Sequence, residues 1–180
     1  GFSMMPIRFK ISLFTAALLI TAYVEAAEAN VTWQDPQNYT DIGSNFGSQN
    51  NFQKSLFKTL DGVFSEQAAR LPEGSTLTVT VSNFDMAGAM RTGGKGAYQR
   101  VVHQSLFPQM TLSYQLTDAT GAVIAEQKDV VFQDMNFTNL TNPVSQSERN
   151  ESYYHDGAVI EEWFDSTFRW SDGDLRSGPA

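Results

Sequence analysis

Four aspartates, Asp35, Asp41, Asp85 and Asp134, stand at or just beyond the ends of β-type runs, and Arg100 and His103 fall in the long connection between two of those runs. Carboxylates gathered on loops can hold a hard cation such as calcium through oxygen ligands. They can also divide into an acid and a base for hydrolysis, with Asp85 and Asp134 as the pair and His103 beside them. The same residue types fasten loops, because an aspartate at a turn accepts hydrogen bonds from backbone N–H groups close by in the chain. Asp41, Asp85, Asp134, Arg100 and His103 are thus the candidate ligand or metal residues, with loop fastening as the competing use. No catalytic residue is assigned and no cofactor is expected; a divalent cation is the one inorganic ligand this set would favour. No EF-hand pattern is present.

Other motifs carry less. The stretch Gly88 to Gly96 invites a phosphate-loop reading, but aligned on Gly94-Lys95 the first glycine is Ala89 and the magnesium-holding Ser/Thr is Gly96. A mobile surface loop, serving as a lid or a binding loop, is the expectation there. His103 and His155 are the only histidines and show no zinc spacing, cysteine is absent, and no Gly-x-Ser-x-Gly elbow occurs. Trp163, Phe164 and Phe168 form a stripe that fits a helix's core face better than a partner-binding face. Sequons start at Asn30, Asn38, Asn136, Asn139 and Asn150, as chance allows in a chain rich in Asn and Thr.

The elements that must position these residues follow from periodicity. Val31 to Trp33 is a short first strand stopped by Asp35-Pro36. Phe52, Leu56, Leu60, Val63, Phe64 and Ala68 recur at three and four residues, which predicts a helix from about Gln49 to Ala69 with Ser48 as N-cap and a turn at Leu71 to Gly74. Leu77, Val79 and Val81 alternate with Thr76, Thr78, Thr80 and Ser82, and Met110, Leu112, Tyr114 and Leu116 repeat the alternation over residues 109–117. A turn at residues 118–121 leads to a returning strand, Ala122 to Phe132, whose alternation slips at Gln127 to Asp129 as a bulge or edge strand does. Asp156 reads as the cap of a final helix carrying Val159, Ile160, Trp163 and Phe164.

The predicted fold is α+β: a mainly antiparallel sheet of about four strands, in the order β-α-β-β-β-α, with two helices packed on one face. If the last three strands alternate in direction and a right-handed crossover joins the first two, the loops near residues 34–48, 86–108 and 137–155 gather at one edge. That edge is where the candidate residues lie.

A chain of 180 residues with 41% hydrophobic and 18% charged residues is globular, and one domain is the default. Its net charge of −8 speaks against nucleic acid and against anionic lipid headgroups, both of which need a basic face. Gly1-Phe2-Ser3 before Met4-Met5 reads as a cloning remnant; Arg8, Lys10, an apolar run from Ile11 to Ala22 and Ala27-Glu28-Ala29 read as a signal peptide, with cleavage after Ala29. The apolar run is too short to span a bilayer, so no transmembrane anchor is expected after cleavage. Removing residues 1–29 takes two charges of each sign and leaves the mature chain at −8. A single domain over residues 30–170 and a flexible tail over 171–180 complete the expected organisation.

Several short motifs in fixed order resemble a known bacterial family, domain of unknown function 3016. They are Asp35-Pro36 with Tyr39-Thr40-Asp41, Leu71-Pro72 before the Thr/Val strand, Asp85-Met86-Ala87-Gly88, Phe107-Pro108, Asp134-Met135-Asn136 and Trp163-Phe164, spanning roughly residues 31 to 168. Pro108-Gln109 and Tyr154-His155 stand where the family often has Pro-Arg and Tyr-Glu. The resemblance implies an exported proteobacterial protein, hence a periplasmic one, and implies no particular activity. The expected function is a small periplasmic binding or interaction module of the cell envelope, its partner another envelope protein or a small ligand. The alternative is a hydrolase or metal-binding protein using the carboxylates at the loop-rich edge. Without a recognisable nucleophile or metal motif, the balance leans away from an enzyme.

Overall fold

The computed structural model describes residues 25–43, 48–96, 98–137, 154–171 and 174–177. In chain order the elements are β1 (Glu28–Trp33), α1 (Gln49–Ala68), β2 (Thr76–Asp85), β3 (Ala89–Thr92), β4 (Tyr98–Val101), β5 (Gln109–Thr117), β6 (Val123–Gln133), α2 (Tyr154–Thr167), β7 (Phe168–Ser171) and β8 (Asp174–Ser177).

The main sheet has the order β1-β2-β5-β6. It is mixed: β1 runs parallel to β2, as a strand-helix-strand crossover through α1 requires, and the other two pairings are antiparallel. Leu77, Val79 and Val81 of β2 and Met110, Leu112 and Leu116 of β5 point to one face and are buried there with Leu56, Leu60 and Phe64 of α1 and Val159, Ile160, Trp163 and Phe164 of α2. Burying each such side chain contributes about 1.5–3 kcal/mol. Thr78, Ser82 and Gln115 on the other face are exposed, so both helices lie over one side of the sheet.

Local chemistry sets the boundaries. Ser48 caps α1, its hydroxyl accepting from the Asn51 N–H at 3.2 Å. Past α1 the chain turns at Gly74, whose φ of 76° suits glycine and whose missing Cβ leaves room for Ala119. The slip in β6 is a bulge: Asp129 has φ 52° and its N–H donates to the Ser113 hydroxyl at 3.0 Å.

Three stretches differ from expectation. The first strand begins at Glu28 rather than Val31, because Ala29 pairs with Leu77 and Glu28 with Thr76. The connection over residues 86–108 is not simply a loop: β3 and β4 form an antiparallel ribbon around a turn at Gly94–Gly96. From Phe168, expected on the face of the last helix, a second ribbon forms, with Phe168 opposite Ser177, and it takes in Ser171 and Asp174–Ser177 of the expected tail. Residues 1–24 of the expected signal peptide, and residues 138–153 of the expected loop with the sequons at Asn139 and Asn150, lie outside the described residues.

Candidate functional site

The register fixes which loops meet. Trp33 lies opposite Val81, Asp85 opposite Gln109, and Gln109 opposite Gln133, so the ends of β1, β2 and β6 and the start of β5 share one edge. From β1 the chain passes through a 3-10 turn at Pro36–Asn38 and returns beside β2, where Asp41 bridges Asp85: the Met86 N–H donates to the Asp41 carbonyl at 2.9 Å.

Arg100, on β4, reaches into this corner. Its Nη2 donates to Asp41 Oδ1 at 2.7 Å and to the Gly43 carbonyl at 2.9 Å; its Nη1 donates to Asp41 Oδ2 at 3.1 Å and to the Ala87 carbonyl at 3.4 Å. Two parallel bonds to one carboxylate are the geometry a guanidinium provides and an ammonium does not. The β4 backbone comes close enough for this because Gly88, at φ 81°, has no side chain: a Cβ there would lie 2.4 Å from the Val101 carbonyl oxygen.

A third carboxylate comes from the other side. Asp156, in the first turn of α2 and only 5% exposed, accepts from the Ala87 N–H through Oδ1 at 2.8 Å. Burial pushes its carboxyl up to about 6; the Ala87 N–H and Arg100 oppose that rise, and the charges of Asp41 and Asp85 add to it. Asp85 is raised as well, by burial first and by Asp41 second, with Arg100 opposing. One cation thus faces three carboxylates supplied by the β1–α1 connection, the end of β2 and the start of α2.

The family model described as Protein of unknown function (DUF3016) matches residues 27–166, a span that contains every residue of this cluster. The chain belongs to that family. Neither a curated protein nor a solved structure matches it.

Of the candidates read from sequence, the DUF3016 fold brings Asp41, Asp85 and Arg100 together. Asp134 is buried on the same edge but serves other partners: its Oδ1 accepts from the Asn136 N–H at 3.0 Å, and its own N–H donates to the Pro108 carbonyl at 3.2 Å. Burial raises its carboxyl, while that hydrogen bond and the charge on His155 pull it down. His103 is exposed, and its Nδ1 lies 2.8 Å from the Ser105 hydroxyl within its own turn. Asp35 is exposed with φ 49°, a left-handed conformation that Asp tolerates, and it leads into the 3-10 turn.

Asp156 was missed as a member of the cluster. Sequence reading makes it the cap of the last helix, but α2 starts at Tyr154, so Asp156 lies inside the first turn and its carboxylate reaches across to Ala87. The signal was Gly157. Glycine inside a helix costs about 1 kcal/mol relative to alanine, so its presence there points to close packing. A Cβ on Gly157 would lie 3.3 Å from Val63 Cγ2 of α1. The neighbouring aspartate is carried into the interior with it.

Among the described residues, no group of three or more His, Asp or Glu is placed to hold a metal ion, and no helix is long and apolar enough to cross a membrane. With all four Arg100 bonds directed at Asp41 and two backbone carbonyls, the cluster works chiefly as a clamp on the segments that form this edge.

Proposed function

We propose that this chain is an exported binding module of the cell envelope, acting in the periplasm, and that its loop-rich edge is the recognition surface. The observation that carries the reading is the exposure of apolar side chains on the segments that enter and leave this edge: Val101 is 40% exposed, Val102 44% and Met135 65%. The chain between Val102 and β5 is tied to both flanking segments, by the Gly88 N–H to the Leu106 carbonyl at 2.8 Å and by the Asp134 N–H to the Pro108 carbonyl at 3.2 Å. Single exposed apolar residues are ordinary; several on the braced segments of one edge favour a docking role, because association removes apolar surface from water. Pre-ordering by Arg100, Asp41 and Asp156 lowers the entropy lost when a partner binds.

The test is photocrosslinking in a Gram-negative cell exporting the full chain. A photoreactive amino acid at Val102 or Met135 should yield one discrete adduct, and the same group at Thr78 on the open sheet face should yield none. Equal labelling at all three positions, or none at any, overturns the reading.

A second reading, a hydrolase or cation-binding site, is favoured by one observation: Asp156 is desolvated beside Asp41 and Asp85. Melting in chelator and then in calcium, magnesium or zinc tests it. A cation at about a hundred times its dissociation constant adds about 2.7 kcal/mol, and the rise should vanish in Asp85→Asn. A melting temperature that no cation moves removes the cation-binding form of this reading.

A further inference from the structure

We infer that the leader peptide is cut between Ala26 and Ala27, not after Ala29. The inference rests on the export reading and concerns which bond the envelope's signal peptidase hydrolyses. Water adds across the Ala26–Ala27 amide, leaving a carboxylate on Ala26 and an ammonium on Ala27.

Such a peptidase requires small, uncharged residues at the last position before the cut and two positions earlier. Beyond the apolar run, the bond after Ala29, with Ala27 upstream, satisfies this outright, and the bond after Ala26 has the short aliphatic Val24 upstream. A cut after Ala27 is disfavoured because Glu25 would occupy the upstream position. Sequence alone prefers the Ala-x-Ala pair, but the fold does not.

Ala27 is buried in the core, the Glu28 N–H donates to the Ser75 carbonyl at 3.1 Å, and Glu28 and Ala29 lie opposite Thr76 and Leu77. Cutting after Ala29 would remove all of this and start the chain within β1. Cutting after Ala26 leaves the strand whole. Glu25 and Ala26 are exposed, and the described backbone bond lost with them, from the Gly74 N–H to the Glu25 carbonyl at 2.7 Å, sits at a surface turn where water can replace it. The family match also begins at residue 27.

The full chain, carrying a C-terminal tag and expressed in a Gram-negative bacterium, should be recovered from the periplasmic extract with Ala27 as its first residue by intact mass and N-terminal sequencing. Ala26→Asp, a change at an exposed position, should block that cut and leave precursor. A mature chain beginning at Asn30, or an Ala26→Asp chain processed at the normal rate, overturns the inference while leaving export intact. An uncut chain retained in the cytoplasm overturns the export reading, and the inference with it.

Discussion

The Asp156 carboxyl rises from an ordinary 3.8 to about 6 because burial outweighs its bond from the Ala87 N–H and the attraction of Arg100. Between those two values the folded chain holds a proton that the unfolded chain has released. The fold is therefore most favoured, as far as this group is concerned, below about pH 4, and it loses stability as pH rises to about 6 and slightly beyond. The loss is about 3 kcal/mol when complete. Asp156→Asn keeps an oxygen for the Ala87 N–H while removing the charge. Urea denaturation should show it more stable than the parent at pH 8, by about 1–3 kcal/mol, and less sensitive to pH between 4 and 7. Asp156→Ala should instead be destabilised by about 1–3 kcal/mol at pH 4, since a buried N–H loses its acceptor. Asp41, Asp85 and Arg100 were legible as candidates because strand alternation fixes where strands end, and their loops follow from strand direction. Asp156 was not, because its part depends on how deeply one helix docks, and periodicity reports a helix face without its depth.

Among the elements, α1, β2, β5 and β6 could be read almost to the residue, each having an apolar stripe or alternation long enough to exceed the noise of single positions. The β3–β4 ribbon escaped that reading. Its strands are four residues each, too short for alternation to register, and the glycines between them resemble loop composition. A close backbone approach of Gly88 to Val101 closes the base of the ribbon, and the Arg100 side chain ties it to Asp41; neither contact leaves a periodic trace in the sequence. Gly88→Ala puts a methyl group where the Val101 carbonyl now lies and strains a positive φ, so it should cost about 1–3 kcal/mol. Hydrogen exchange should locate the damage: the ladder amides of β3 and β4 should lose protection while those of β2 and β5 keep theirs.

At the scale of the whole molecule, two helices cover one face of the sheet and the other face is left to water. The class and order of the core elements were legible because apolar and threonine faces separate cleanly along β2 and β5. The full length of β1 was not, since Glu28, Ala29 and Asn30 carry no β signature and take their conformation from β2. Chains beginning at Ala27 and at Asn30 measure what those residues add. Losing a buried methyl and the ladder bonds of two residues should cost about 2 kcal/mol, hence about 4–8 °C in melting temperature for a domain of this size.

The parallel pairing of β1 with β2 has a kinetic side. The β2–β5–β6 meander uses antiparallel neighbours, whereas β1 must wait for α1 to be laid down between it and its partner, a closure over the longest span in the sheet. Until it docks, one side of β2 stands open, a Thr/Val ribbon with an unpaired row of amides, and such an edge recruits other chains. β1 is thus a cover strip as well as a strand. Lesions that weaken it, Val31→Lys for instance, should first appear as aggregated protein during refolding, measured by light scattering, before any loss of melting temperature in the fraction that stays soluble.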